Sequence, residues 1–517
     1  MDEGYGWTAY AGPAEREVPP EGSTTYTVGA VPTADTDGRL RLSDLGKLAR
    51  RGQRGLVGAA RAHDRPTFDR LLHDHLGPTT DELQVTEEAW PSYDMVNVQL
   101  GLDAWLAEPG RTHELVGITG HRHEQFGLAE LLQPPEHPWG IRPGAVARMS
   151  LPSGPDGEVT RAVAAGLYLV RDGGARFALL LLAASDEYGR GSVQLHAVGD
   201  VPGAAGEAAS EVRRLALVHN VYRGRLVSFD GDMFGERGAA LSFQPRPHVT
   251  DDEVILPRAS LDVLRRQVLG VAVHRERLLA ARQHLKRGLL LYGPPGVGKT
   301  HTVRHLVSEL DGVTVVQLTG GSLSMISTAC SVARSLQPSM IVVEDVDLIA
   351  EDRGMHPGQH PLLFELLNQM DGLSEDADVV FLLTTNRADL LEPALAARPG
   401  RVDQAVELRL PDAGERARLF ELYRGGLEVD TSRLETVLER TEGVTASFLK
   451  ELLRRAALVA AEATPGDTAP LRVAADQLDA ALEELLDTRN AMTRAVLGGG
   501  ERVTSPPYDE DEWDDEP

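Results

Sequence analysis

The pattern of apolar and polar positions divides the chain into three differently built regions. Between residues 41 and 230, helical periodicity comes first and short β-type runs follow, whereas strands and helices alternate over 256–410 and helices alone fill 411–488. Alternation of strands and helices is typical of a parallel sheet with crossover helices. The pattern predicts an α+β domain, an α/β domain and a small helical domain. Residues 231–255, rich in glycine, proline and acidic residues, are interpreted as a linker.

Within the first domain, helical periodicity covers 42–61, 66–76 and 95–106, and one long amphipathic helix is predicted over 204–222. The predicted strands are Leu115–Ile118, Ala145–Leu151, Val163–Val170, Arg176–Ala184 and Ser192–Val198. Gly173 and Gly174 lie between two of these strands and indicate a hairpin turn. No motif of this domain indicates a catalytic or binding role, so its function is not predicted.

Both ends of the chain lack a sustained period, and residues 1–40 and 489–517 are predicted to be disordered tails. The second tail ends in Asp509–Pro517 (DEDEWDDEP), which has seven acidic residues in nine. Such a run is usually a solvated tail. The alternative is an electrostatic docking or self-inhibiting segment that competes for a basic surface.

Charge and composition narrow the function classes. The net charge of −26 argues against a general binder of nucleic acids or anionic membranes, which would need clustered lysine and arginine. Cys330 is the only cysteine, so no internal disulfide can form. No signal pattern is found at the N-terminus, and the longest apolar run, Phe177–Ala184, is far too short to span a bilayer. We therefore expect a soluble cytoplasmic protein without a membrane span.

The second domain opens with a phosphate-loop motif. Gly293–Thr300 (GPPGVGKT) fits G-x-x-x-x-G-K-[ST], and it lies between the apolar run Gly288–Tyr292 and a helical pattern. Glycines let backbone N–H groups turn toward a polyphosphate, and the helix N-terminus adds a favourable dipole. Lysine supplies a charge to the β- and γ-phosphates, and the threonine hydroxyl ligates Mg²⁺. The candidate nucleotide-binding residues are Gly293, Pro294, Pro295, Gly296, Val297, Gly298, Lys299, Thr300 and His301.

An acidic strand end predicts the rest of the site. The apolar run Met340–Val343 ends in Glu344 and Asp345, and Asp347 follows two residues later. Carboxylates opposite a phosphate loop suit Mg²⁺, which prefers hard oxygen ligands, and one of them can polarise an attacking water. ATP and Mg²⁺ are therefore the expected cofactors.

With these motifs, residues 256–488 resemble the AAA+ ATPases, in particular the AAA subgroup with its C-terminal helical lid. The resemblance implies an α/β phosphate-loop sheet followed by a lid. The family usually has Asp then Glu at the acidic strand, and the reversed order here is similar to the mitochondrial AAA group that assembles respiratory complex III. Glu344 would then be the acid on the Mg²⁺ side, acting through water with Thr300, and Asp345 the catalytic base. Because Asp345 is one methylene shorter than the usual Glu, we expect slower hydrolysis.

The resemblance extends to a polar residue and two arginines. Asn386, in Phe381–Arg387 (FLLTTNR), resembles the residue that orients the attacking water or contacts the γ-phosphate. Arg398 and Arg401, in the run ARPGR, resemble arginines that project into the neighbouring subunit's ATP site. An arginine supplied in this way is typically worth about 10³–10⁵ in rate. The resemblance therefore implies a homo-oligomeric ring, most simply a hexamer. The alternative is that both arginines form local salt bridges.

Two further segments compare less closely with the family. Thr441–Ala457 partly matches the lid segment TEGYSGAD, and within it Gly443 and Ala446 are the candidate nucleotide contacts. Gln317–Met325 (QLTGGSLSM) occupies the place of the aromatic–glycine pore loop of polypeptide-threading rings but contains no aromatic residue. Either Leu323 and Met325 substitute weakly, or the protein does not thread polypeptides in the usual way.

Histidine pairs suggest a metal site only weakly. His73 and His75, and then His121 and His123, are close in sequence but lack supporting carboxylate or cysteine spacing. The HExxH motif is absent from the chain, so a zinc protease of that type is not supported.

Three functions remain. The first is an ATP-driven ring that remodels a protein client, and the second is an ATP-gated assembly or scaffold protein in which nucleotide binding is the switch. The third, a nucleic-acid-dependent AAA+ protein, is disfavoured by the acidic charge and by the lack of interleaved basic and aromatic residues.

Overall fold

A computed structural model describes residues 67–77, 83–120, 126–134, 140–185, 190–230, 240–348, 361–389, 401–463 and 471–487. The two predicted tails, the predicted helix 42–61, the pair His121 and His123, and Arg398 lie outside the described residues.

The first domain is an antiparallel sheet with helices on both faces. Its strands hydrogen-bond in the order β1-β7-β6-β5-β2-β3, with β4 also paired to β5. The elements are α1 (Phe68–Leu76), β1 (Thr86–Pro91), α2 (Met95–Leu106), β2 (Arg111–Thr119), α3 (Leu128–Leu131), β3 (Arg142–Gly144), β4 (Ala147–Pro152), β5 (Val159–Asp172), β6 (Ala175–Leu182), β7 (Ser192–Gly199) and α4 (Ala204–Val218). One face packs on α2 and α4 and the other on α1 and α3, so β6 reads as an apolar run with its central residues buried on both sides.

Several predictions for this domain are confirmed. The hairpin turn at Gly173 and Gly174 joins Asp172 of β5 to Ala175 of β6, which are paired. The predicted helix over 204–222 is too long, because α4 ends at Val218. Tyr222 instead lies in the turn that follows, where its side chain is buried and its hydroxyl donates to the Tyr93 carbonyl oxygen at 2.8 Å.

The second sheet contains the phosphate loop. Six of its strands are parallel, and the order is β14-β10-β13-β12-β11-β8-β9. The elements are β8 (Leu226–Asp230), β9 (Ala240–Gln244), α5 (Arg258–Arg265), α6 (Val271–Ala280), β10 (Arg287–Tyr292), α7 (Lys299–Glu309), β11 (Thr314–Leu318), α8 (Ile326–Ser335), β12 (Ser339–Val343), α9 (Pro361–Asp371), β13 (Val379–Thr385) and β14 (Gln404–Glu407). The predicted parallel α/β sheet is therefore present.

The structure corrects the predicted boundary between the domains. Strand β8, which the sequence analysis placed in the first domain, pairs with β11, and β9 lies inside the predicted linker 231–255. Val227 and Phe229 of β8 are buried in the same core as Val96 of the first domain. Leu241 of β9 belongs to the same core, so apolar side chains hold the two domains together where the composition suggested a linker.

The lid follows the second sheet and has its own core. It comprises α10 (Ala413–Arg424), β15 (Glu428–Val429), α11 (Leu434–Arg440), α12 (Ala446–Ala463), β16 (Arg472–Val473) and α13 (Ala475–Leu486). The prediction of helices alone missed only the short parallel pair β15 and β16. None of the described helices is both long and apolar enough to cross a bilayer.

Candidate functional site

The phosphate loop connects the end of β10 to the start of α7. Gly298, the residue before the helix, has a φ of +100°, a conformation that favours glycine over every other residue. The loop thereby ends with Lys299 and Thr300 on the first turn of α7. Its backbone N–H groups and the positive end of the helix are available to an anion at this point.

Lys299 is buried, and its ammonium group makes three hydrogen bonds. Its Nζ donates to the carbonyl oxygens of Gly293 at 2.8 Å and Pro294 at 2.9 Å, and to Oδ1 of Asn386 at 2.7 Å. Burial lowers the pKa of Lys299, and the nearby negative charges of Asp345 and Asp347 act in the opposite direction. The ammonium group is therefore held between the loop and the end of β13, where phosphate oxygens can replace carbonyl oxygens as acceptors.

Thr300 and Glu344 form the pair expected at a magnesium site. The Thr300 hydroxyl donates to Oε2 of Glu344 at 2.7 Å, and Gln317 donates to Oε1 of the same carboxylate at 2.6 Å. Glu344 is only 7% exposed, so these bonds fix its orientation. A hydroxyl and a carboxylate are hard oxygen donors, and this donor set fits Mg²⁺.

Asp345 faces the pocket beside Glu344. Its backbone has a φ of +52°, which is strained for a residue other than glycine, and its N–H donates to the Thr384 hydroxyl at 3.1 Å. Burial raises the pKa of Asp345, and the negative charges of Asp347 and Glu344 raise it further. This side chain has the position and the electrostatics of a proton acceptor.

Asp347 and Asn386 complete the edge of the sheet. The buried Asp347 carboxylate accepts from the Thr385 hydroxyl at 2.9 Å and from the Asn386 N–H at 3.2 Å. Asn386 in turn points Nδ2 at Oδ1 of Asp345, at 3.4 Å. The ends of β12 and β13 are thus tied together, and a polar amide lies next to the candidate base.

A pocket of about 610 Å³ lies between this edge, α7 and the lid. Of the predicted nucleotide contacts, it is lined by Pro295, Gly296, Gly298, Lys299, Thr300, His301 and Ala446, together with Asp345 and Asn386. Gly293, Pro294, Val297 and Gly443 are not among the described lining residues. The carbonyl oxygens of Gly293 and Pro294 bind Lys299 instead, and Val297 is 6% exposed within the core.

Other lining residues were not predicted: Glu253, Arg304, Leu422, Tyr423, Ser447 and Lys450. Arg304 lies one helical turn after Thr300, a spacing that could have revealed it. The lid residues have no such signal, because tertiary contacts bring them to the pocket. The Ser447 N–H donates to the Gly296 carbonyl oxygen at 3.1 Å and ties α12 to the phosphate loop.

The segment before α5 is fixed against α7. Arg265 pairs with Asp251 and with Glu309, and it also contacts Nε2 of the buried His305 at 3.1 Å. The guanidinium group bonds both carboxylates, so this cluster is an ion-pair network that holds the segment in place. The His301 ring lies 2.9 Å from the Glu253 carbonyl oxygen and extends the attachment to the pocket.

Arg401 does not project from the described structure. Its side chain is 2% exposed and its Nε donates to Oδ1 of Asp371 at 3.0 Å within the same chain. The Arg401 backbone also packs on Gly288, where a Cβ atom would lie 1.9 Å from the Arg401 carbonyl oxygen. The local salt bridge, the alternative weighed above, is what the structure contains, and a role in a neighbouring site would require this pair to separate.

The structure also places the pore-loop residues and one of the paired histidines. Leu323 lies in a 3-10 turn and is 4% exposed, so its side chain is not available to grip a polypeptide. Met325 packs against the same core but is only partly buried. His75 is buried, and its Nε2 lies 3.1 Å from the Val170 carbonyl oxygen and 3.0 Å from that of Phe177. These backbone contacts give His75 a structural role.

Comparisons with known proteins agree with this geometry. Residues 289–410 match the sequence model of the ATPase family associated with various cellular activities (AAA). The chain is similar to the ATP-dependent zinc metalloprotease FtsH 3 of Symbiobacterium thermophilum, with 31% identity over 44% of this chain and 38% of that protein. It is also similar to the chloroplastic ATP-dependent zinc metalloprotease FTSH 2 of Oryza sativa subsp. japonica, with 30% identity over 44% and 35% of the two chains. The chain spans less than two fifths of the length of these relatives.

Proposed function

Because residues 289–410 match the model of the AAA ATPase family, we propose that the chain is an AAA+ ATPase that binds ATP with Mg²⁺ and hydrolyses the nucleotide. One observation carries this proposal. Lys299 on the first turn of α7 meets Asp345 and Asn386, which follow the ends of β12 and β13, in one pocket, with Thr300 bonded to Glu344 beside them. A phosphate-binding cation, a magnesium donor pair and a proton acceptor are thus assembled on a single chain.

The residues have separable roles. Lys299 and the N–H groups of the loop hold the phosphates, and Thr300 and Glu344 hold the metal, directly or through water. When bound, Mg²⁺ neutralises phosphate charge and polarises the phosphorus–oxygen bonds. Asp345 accepts the proton of the attacking water, and Asn386 orients that water. The pocket also carries the cations Arg304 and Lys450, which suit a polyanion.

The test compares two lysines. Lys299→Ala should lower ATP hydrolysis by about a hundredfold to a thousandfold, because it removes a charge aimed at the reacting phosphates. Lys286→Ala is the matched control, since Lys286 bonds the Met370 carbonyl oxygen and does not line the pocket. Both variants would be assayed for ATP affinity and phosphate release. Equal loss in the two variants, or none in Lys299→Ala, would refute the assignment.

The use of the hydrolysis is a further proposal. The relatives named above are ATP-dependent proteases, and by analogy the ring would remodel a protein client. The HExxH motif is absent from this chain, so proteolysis by that motif is not part of the proposal. The unknown client would be engaged outside the pore-loop position, since Leu323 is buried and Gln317–Met325 contains no aromatic residue.

An ATP-gated scaffold is the second candidate. Two observations favour it, the Glu344–Asp345 order and the lack of an aromatic residue in Gln317–Met325. In this case ATP binding alone would switch the partner-binding surface. A full partner-binding response in Asp345→Asn, which binds ATP without turnover, would establish the scaffold over the remodelling ring.

We also propose an oligomeric state and a cellular location for the protein. A homo-oligomeric ring, with six subunits as the simplest case, and a cytoplasmic location would fit the resemblance and the single cysteine. Mass measurement in solution with and without ATP, beside Arg401→Ala, tests the ring. Ring formation with lost turnover in the variant would support an inter-subunit role for Arg401. The similarity to the complex III assembly group stays a prediction.

A further inference from the structure

Strand β9 is the last strand of the second sheet. Among the described residues its only strand partner is β8, with which it is antiparallel. An edge strand presents a row of N–H and C=O groups that can pair with another extended chain. The free side of β9 is therefore a potential binding edge.

The bonds of β8 identify which of its groups point toward β9. The Arg225 carbonyl oxygen accepts from the Val315 N–H of β11 at 2.8 Å. Successive residues of a strand direct their N–H and C=O groups to opposite sides. Arg225 and Val227 therefore face β11, whereas Leu226 and Ser228 face β9.

The register then identifies the free groups of β9. Leu226 lies opposite Gln244 and Ser228 lies opposite Ser242, so these are the hydrogen-bonded pairs. The backbone groups of the alternate residues, Leu241 and Phe243, point away from the sheet. Two donors and two acceptors are thus presented along the edge.

A cavity of about 480 Å³ follows the same edge. Four consecutive residues of β9, from Ala240 to Phe243, line it. Since successive side chains point to opposite faces, a cavity that contacts four in a row lies along the edge and not over one face. A strand of this length spans about 13 Å. The opposite wall belongs to the first domain: Ser92, Tyr93, Met95, Val96, Leu151 and Pro152.

The chemistry of the cavity is apolar and uncharged. No lysine, arginine, histidine, aspartate or glutamate is found among its described lining residues, although the chain has a net charge of −26. The Ser242 hydroxyl is buried and has no hydrogen-bond partner in the described structure.

We propose that the β9 edge binds an extended, uncharged segment of a protein partner by strand addition. The backbone of the segment pairs with Leu241 and Phe243, and alternate side chains enter the apolar cavity between the two domains. The edge thereby supplies a client or partner site next to the nucleotide domain. Its use in remodelling rests on the proposed function, whereas the binding itself needs no nucleotide.

The first experiment uses a fluorescein-labelled peptide of alternating valine and threonine, flanked by glycine and serine, with the full chain and no nucleotide. Binding is followed by fluorescence anisotropy. N-methylation at successive peptide positions should weaken binding about tenfold at every second position, because each affected N–H loses a bond to the edge. Hydrogen exchange should slow at the amides of Leu241 and Phe243. The proposal would be overturned if N-methylation weakened peptide binding without a period of two. It would also be overturned if an apolar dye competed with the peptide and the amides of Leu241 and Phe243 stayed unprotected when the peptide was bound.

The second experiment fills the cavity. Ala240 has an exposed side chain in the cavity wall, and Ala240→Trp should weaken peptide binding about tenfold. Val273→Trp is the control, since Val273 is 75% exposed on α6 and does not line the cavity. ATP hydrolysis should be unchanged in both. Peptide binding without hydrolysis would refute only the proposed ATPase, and hydrolysis without peptide binding would refute only the edge site. Dimerisation through β9 that the peptide does not disrupt would also overturn it.

Discussion

The charged side chains that the sequence motifs assign to one kind of site are held in two opposite ways. Lys299 and Asp345 face a pocket and contact groups that a ligand can replace. Arg401 is 2% exposed and bonded to Asp371 of its own chain. A motif therefore indicates the residue type that a site needs, but the packing decides whether that residue is available.

The difference between Lys299 and Arg401 follows from the groups that each side chain bonds. The Lys299 ammonium group is held by two backbone carbonyl oxygens, which are neutral acceptors that phosphate oxygens can outcompete. The Arg401 guanidinium group is held by a carboxylate, and separating such a pair leaves a buried charge unpaired. The first arrangement is ready for a ligand, and the second needs a compensating event such as subunit contact.

The largest effect on stability should come from breaking the Arg401 pair. Asp371→Ala should lower the free energy of unfolding by about 2–3 kcal/mol, because the buried guanidinium group loses its carboxylate. This is less than for a fully buried pair, since the Asp371 side chain is 46% exposed. Urea unfolding would measure it. Asp389→Ala is the control, because Asp389 pairs with Arg387 at the surface, and it should cost about 0.5 kcal/mol.

Hydrolysis by Asp371→Ala separates a role of Arg401 in a neighbouring subunit from a purely structural role. If Arg401 acts on a neighbouring subunit, Asp371→Ala frees it, and hydrolysis per ring should be kept or rise while stability falls. If the pair is only structural, hydrolysis and stability should fall together.

A smaller effect is expected at the lid. Lys450→Ala should raise the KM for ATP about fivefold, because the pocket loses a cation that adjoins a polyanion. The effect on kcat should be smaller, since Lys450 comes from the lid and not from the strand ends. Arg454→Ala is the control, because Arg454 pairs with Glu451 on the same helix and does not line the pocket. Equal changes in KM in the two variants would remove Lys450 from the site.

The smallest effect concerns pH. Burial and the neighbouring carboxylates raise the pKa of Asp345, so the folded state holds its proton more tightly than the unfolded state does. The contribution of this group to stability therefore falls as pH rises from the unfolded pKa through the folded pKa. Asp345→Asn should raise the melting temperature slightly at neutral pH, and the gain should vanish in acid. A melting temperature that falls at neutral pH would contradict the assigned electrostatics.

The elements that depend on interactions between residues close in sequence were predicted from the sequence. The strand–loop–helix around Gly293–Thr300, the hairpin at Gly173 and the helix Ala446–Ala463 were all found from short-range signals. Strand β9 was assigned to a linker, because its place depends on pairing with β8 and on a core shared by both domains.

The candidate site shows the same limit. The strand-end residues Glu344, Asp345 and Asn386 were predictable, since the carboxyl ends of parallel strands meet at one edge of a sheet. Tyr423 and Lys450 were missed, because the docking of the lid brings them to the pocket. The Asp371 partner of Arg401 is likewise 30 residues away in sequence and has no motif of its own.

The assignment of Asp345 as the proton acceptor is tested by single-turnover hydrolysis of pre-bound ATP in wild type and in Asp345→Asn. The wild-type chain should release phosphate in a Mg²⁺-dependent reaction. The variant should lose about 10²–10⁴ in rate and keep its affinity for ATP, because only the proton acceptor is removed. A wild-type chain that binds ATP but releases no phosphate in any oligomeric state, or a variant that hydrolyses ATP at the wild-type rate, would contradict it.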